Sequence, residues 1–143
     1  TAEIISDGVH VHPALIRLIL RCKGLDKIVL VTDAMHAAGV GDGEYAFGGM
    51  TVSVKDGIAR TLDGVLASST KPMDYMLKCF CEFTDLPLPN AVQAATLNPS
   101  RVIGIDSRKG SLEKGKDADI VTIDENFVVY DVFVMGKRVY QKS

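Results

Sequence analysis

The hydrophobic positions of this chain change period along its length, and the changes mark out its elements. At 28–31 the run "IVLV" is apolar at every position between Lys27 and Thr32. Such a run is buried on both faces, as in the parallel strands of an α/β sheet, so helices are expected to cover it. Upstream, "EIIS" predicts a short strand, "DGVHV" a loop, and "HPALIRLILRCKG" a helix. Pro13 suits the first helical turn, Leu15, Ile19 and Cys22 recur at helical spacing, and Gly24 supplies the stop.

The period then switches to two. In "YAFGGMTVSVKDGIART" residues 51–54 alternate, Asp56-Gly57 is a hairpin signal, and Ile58 opens a return strand, which predicts a small β excursion. Helical spacing resumes in "KPMDYMLKCFCEF", where Met73, Met76, Leu77 and Phe80 form an apolar stripe. The methionines are expected in the core. "LPNAVQAATLNP" predicts another helix, with Pro89 near its start and Pro99 at its end. From about Gly104 onward, "GSLEKGKDADIVTID", "FVVYDVFVMG" and "KRVYQ" predict turn-separated strands. The pattern divides the chain into an α/β part, 1–103, and an all-β part, 104–143.

Composition narrows the class of function. The chain has 143 residues, 47% of them hydrophobic, enough for a real core. Sixteen basic and 18 acidic residues are spread along it for a net charge of -2, so no nucleic-acid footprint is visible. No apolar run approaches the ~20 residues of a membrane span, and "TAEIIS" lacks the layout of a signal peptide, so a cytoplasmic protein is expected. Cys22, Cys79 and Cys81 are an odd set, and "CFC" places one residue between thiols where metal and redox motifs use two. They are read as reduced packing residues. Thr1 leads almost directly into an apolar segment, which reads as a piece of something longer.

Candidate chemistry gathers on a few loops. In "KIVLVTDAMHAAG" the buried strand ends at Asp33, which either punctuates the strand or holds an acid at the rim of a pocket. His10 lies on a loop between strand and helix, where a side chain can reach a ligand or be satisfied by local backbone. His12, beside Pro13, is expected to be structural, because one H-x-H without helical carboxylates is a poor metal site. His36 either reaches the same pocket as Asp33 or is merely exposed. Ser68 and Ser69 lack a nucleophile elbow, although backbone amides there can hold a polar ligand. Residues 110–116 match part of a phosphate loop, but Asp117 stands where Ser or Thr is needed and a strand follows where a helix is required. Surface turns explain those Gly and Lys residues.

Taken together, "DGVHVHP", "LVTDAMHAAG", "LASSTKPMDYML", "AATLNPSRVIGI" and "KGSLEKGKDADIVTID" resemble, in order and character, the C-terminal portion of the amidohydrolase superfamily. Within it the chain is most similar to the N-acetylglucosamine-6-phosphate deacetylase family, through "DGVHV" and "LVTDAM". The resemblance implies the latter part of a (β/α)8 barrel followed by strands of a small β-sandwich, with the site at the strands' C-terminal face. It implies an enzyme that hydrolyses N-acetylglucosamine 6-phosphate to glucosamine 6-phosphate and acetate. Asp33 matches the catalytic carboxylate, which would take a proton from metal-bound water and return it to the departing amine. Asp7, Gly8, Val9 and His10 match one substrate loop, with His10 on the sugar phosphate, and Leu66, Ala67 and Ser68 match a second. Many relatives carry Gly at the position of Ser68, and a small residue at that of His36.

By the same resemblance a divalent metal, zinc or iron, is needed, with its principal ligands outside this chain and none within it. The implied partners are an amino-sugar phosphate, the missing N-terminal portion of the barrel, and a second subunit in the complete enzyme, with no nucleic acid and no membrane. Two alternatives stay open: a deacetylase for N-acetylgalactosamine 6-phosphate, and a non-catalytic fragment acting as a packing or binding module.

Overall fold

The computed structural model describes residues 1–143. Strand β1 (Ala2–Ile4) pairs in parallel with β2 (Ile28–Leu30), in the register Ala2 to Ile28 and Ile4 to Leu30. All three residues of β2 are buried, as a strand covered on both faces requires. The connection between the strands is helix α1 (Pro13–Lys23), closed at Gly24, whose φ of 79° favours glycine. A parallel bridge between Ala34 and Ser69 continues the sheet, giving an arc in chain order.

Helix α2 (Met73–Thr84) covers this arc with the predicted stripe: Met76, Leu77, Cys79 and Phe80 are buried. With Ile4, Ile16, Ile28, Leu30, Ala91 and Ala94, Leu77 and Phe80 form the main core. On α1 the buried face differs from expectation. Ile16 is buried and Ile19 and Leu20 pack beside it, whereas Leu15 is 47% exposed and Cys22 lies open. Apolar residues occupy more than one side of α1, and only the side facing the arc is covered.

The expected helix ending at Pro99 is two pieces: α3 (Leu88–Ala91), extended by a 3-10 turn, and α4 (Leu97–Val102). Pro99 falls in the first turn of α4, where its missing N–H leaves no bond unmade. Asn98 fixes α4 to the sheet by donating both amide hydrogens, to the Leu25 and Ile28 carbonyls at 2.8 Å each.

The β excursion has three antiparallel strands, β3 (Gly43–Phe47), β4 (Met50–Lys55) and β5 (Ile58–Thr61). Asp56 and Gly57 both have positive φ, as a type I′ turn demands, and Gly48-Gly49 repeats that geometry one hairpin earlier. Val52, Val54 and Ala59 face Met35 and Ala37 in a second, smaller core. A last sheet holds β6 (Ile120–Ile123), β7 (Val129–Val134) and β8 (Lys137–Gln141) in order.

The stretch before β6 has no regular strand, and it is less superficial than expected. Gly110 lies against α4, where an added Cβ would be 2.2 Å from Ser100 Oγ and 2.9 Å from the Thr96 carbonyl. The Lys116 amine is largely covered and donates to the Asp106 carbonyl at 2.6 Å and to Ser111 at 2.5 Å. No helix of the chain is long and apolar enough to cross a membrane.

Candidate active site

The loop after β1 is built around Asp7. One oxygen of its buried carboxylate accepts the backbone N–H groups of Val9 and His10, both at 2.9 Å. The other lies 2.8 Å from His10 Nδ1. Gly8 is held tightly as well: its φ is 77°, and a Cβ would sit 3.1 Å from Phe83 Cζ. Both Asp7 oxygens are therefore engaged within the loop, so a substrate would have to compete with His10 for them. Asp7 holds the ring, which lines a cleft.

The other nitrogen of His10 reaches across the fold. Nε2 lies 3.2 Å from the Ala67 carbonyl, so the two loops singled out in the sequence, 7–10 and 66–68, meet through this ring. Both ring nitrogens face acceptors, a carboxylate and a carbonyl, and both contacts are made when each nitrogen carries a hydrogen. The Ala67 N–H donates to Ala59 and Leu66 bridges Arg60, which fastens that loop to β5.

Asp33 stands three residues beyond β2, exposed, with φ of 46°. Asp56, Phe127 and Met135 share this conformation in hairpin turns, Asp85 at a helix end and Ala118 in the loop before β6; Asp33 adopts it just past a strand end. A non-glycine residue here costs about 1–2 kcal/mol, and aspartate bears it better than most. The backbone on either side is fixed: the Ser69 N–H donates to the Asp33 carbonyl, and the Met35 N–H donates to Ser69, both at 2.9 Å. Met35 and Ala37 then turn into the second core and leave His36 outside. The carboxylate is thus displayed at a strand end rather than packed away.

A shallow cleft is lined by Asp7, Val9 and His10, by Gly57 of the β4–β5 turn with the start of β5, and by 68–71. Ser68 belongs to this lining; Asp33, Leu66 and Ala67 do not, and join it through the backbone bonds just described. The turn at 57 is tied down by Asp42, whose carboxyl is held below the usual range by the N–H groups of Gly57 and Asp56. His12 caps α1, accepting the Ala14 N–H at 3.2 Å, as its place beside Pro13 predicts. His36 packs edge-on to Tyr45 and tilted on Phe47, on the excursion rather than in the cleft. Burial pushes the Cys79 and Cys81 thiols up, which suits packing residues.

No three His, Cys, Asp or Glu side chains converge anywhere in the chain. The residues present do not make a metal centre. Two further residues escaped the sequence reading. Thr70 donates to the Gly57 carbonyl at 2.5 Å and so welds the third stretch to the hairpin. Lys71 lines the cleft, although its sequence context, between Thr70 and Pro72, gives no signal of it.

Comparison with known proteins shows the family and the fold. The amidohydrolase family pattern matches residues 1–139. An Escherichia coli K12 protein, provisionally named an N-acetylgalactosamine-6-phosphate deacetylase, is 40% identical over 135 residues, covering 94% of this chain and 80% of its own. The N-acetylglucosamine-6-phosphate deacetylase of Vibrio furnissii is 38% identical over 141 residues, 99% of this chain and 35% of its own. Among solved structures, the N-acetylglucosamine-6-phosphate deacetylase of Thermotoga maritima superposes with a TM-score of 0.92 at 35% identity, over 98% of this chain and 38% of that one. The chain therefore spans little more than a third of the Vibrio and Thermotoga proteins. Its fold is the latter part of their barrel followed by strands of the β-sandwich.

Proposed function

The chain belongs to the amidohydrolase family, and from that premise we propose that it is the C-terminal portion of an N-acetylglucosamine-6-phosphate deacetylase. The observation that carries the reading is the placement of Asp33. An exposed carboxylate stands in a strained conformation at the end of a parallel strand, backbone-bonded to the segment whose carbonyl meets His10. Such sites lie at the C-terminal ends of barrel strands.

In this proposal Asp33 is the general base. It accepts a proton from the water that attacks the acetyl carbonyl, and a C–O bond forms. It then returns that proton to the amide nitrogen as the C–N bond breaks, releasing acetate and the free amine. His10 contacts the phosphate, Asp7 positions His10, and Gly8 and Val9 shape that loop. Leu66, Ala67 and Ser68 border the sugar, and the Ser68 hydroxyl replaces open space at that wall. Family members are generally metal-dependent. Because this chain offers no metal centre, the divalent ion, zinc or iron, is assigned to ligands in the N-terminal portion of the barrel.

Residues 1–103 supply barrel and 104–143 supply sandwich strands. A dimeric complete enzyme and a cytoplasmic location belong to the same proposal, the latter supported by three free cysteines. A polypeptide joining this chain to the rest of the barrel is expected to release acetate from N-acetylglucosamine 6-phosphate with the higher kcat/KM of the two epimers. Preference for N-acetylgalactosamine 6-phosphate would reassign the substrate, and release from neither would reject the activity.

A further inference from the structure

Within the cleft one cation has no assigned task. Lys71 lines it beside His10, Ser68, Ser69 and Thr70. Its amine rests over the Tyr75 ring, 5.4 Å from the centroid, and against Gly57, where an added Cβ would come within 2.5 Å of Nζ. No carboxylate lies within ion-pair distance of it, whereas Lys109 and Lys116 are paired in the loop before β6. Asp42, which feels the charge of Lys71 across the turn, has both oxygens on the N–H groups of Asp56 and Gly57. Lys71 is thus a half-buried ammonium on an aromatic face, at the edge of a cleft that already holds a histidine and three hydroxyls.

We propose that Lys71 is a second cationic contact for the phosphomonoester end of the substrate, acting beside His10. The inference rests on the deacetylase reading and deepens it. A histidine alone is a weak partner for a dianion, and a lysine amine supplies a point charge with three donors. Gly57 is part of the arrangement. A Cβ there would displace Nζ, the movable end of the lysine, and the φ of 68° favours glycine in its own right.

The test is a titration of the polypeptide joining this chain to the rest of the barrel with glucosamine 6-phosphate and with glucosamine, followed by backbone amide shifts at Gly57 and Ser69. The wild-type polypeptide is expected to bind the phosphorylated sugar more tightly. Lys71→Met is expected to weaken that binding at least about tenfold, and Lys71→Arg to restore it within about threefold. Binding of unphosphorylated glucosamine is expected to be equal in all three, with amide spectra that show an unchanged fold. If Lys71→Met binds like wild type while His10→Asn weakens binding, the proposal falls and the deacetylase reading stands. If the wild-type polypeptide shows no preference for the phosphorylated sugar, both fall.

Discussion

Asp7 shows how a single carboxylate can organise a loop from within it. The aspartate accepts two backbone N–H groups and holds the His10 ring by Nδ1, while its side chain stays buried. The motif "DGVH" places Asp7 and His10 together, and by resemblance on substrate; the hydrogen bonds add that Asp7 also holds the His10 ring. Asp7→Asn can keep the two backbone bonds through its oxygen, yet it offers His10 a donor where a carboxylate stood. Nitrogen NMR of the ring is expected to show hydrogen lost from Nδ1 in this variant. Asp7→Ala removes all three bonds and is expected to cost about 1–3 kcal/mol in chemical denaturation. A variant with wild-type stability and an unchanged His10 ring would show that the loop is held by other contacts.

Among the elements, legibility followed burial. The strand at 28–30 and the stripe of α2 were readable because two-sided burial and a 3.6-residue period leave plain marks. Asp56-Gly57 announced its hairpin, and "FGGM" carried the same signal for the unread strand β3. The α1 face was misplaced because apolar residues lie on several sides of that helix, and the local pattern cannot say which side the sheet will cover. Pro99 was misread as a stop because proline suits a first helical turn as well as the residue after a last one.

Gly110 was invisible for a similar reason. Its requirement comes from α4, ten residues away in sequence, rather than from its own turn. Gly110→Ala combines a φ of 87° with a backbone clash at 2.9 Å, and is expected to destabilise the chain by about 1–3 kcal/mol. Unchanged thermal unfolding would mean that the loop before β6 can swing away from α4 at no cost. That loop is otherwise tied to the last sheet by charge. Arg108 and Lys109 hold Asp117 below the usual carboxylate range, Lys109 does the same for Asp119, and Asp119 accepts the Met135 N–H at 2.8 Å.

As a whole molecule the chain is under-covered. Its accessible surface is 8697 Å² at 15.4 kDa, where a compact monomer of that mass exposes about 7,200 Å². Only 22 of its residues are buried, and Leu15 and Leu18 on α1 lie open. An arc with free edges needs a partner to close it, and the Thermotoga relative has most of its length outside the matched region. In the proposed division of labour this chain supplies the acid and the phosphate contacts, and the remainder of the barrel supplies the metal ligands.

That division is tested most directly at Asp33, in a polypeptide carrying the whole barrel. Asparagine tolerates the left-handed backbone conformation at this position, so Asp33→Asn removes the base without disturbing the strand end. Acetate release from N-acetylglucosamine 6-phosphate is predicted to lose roughly 10²–10⁴ in kcat, with KM within about threefold of wild type. Near-normal kcat in the folded variant would contradict the assignment of Asp33 as the catalytic carboxylate, and with it the reading of this site.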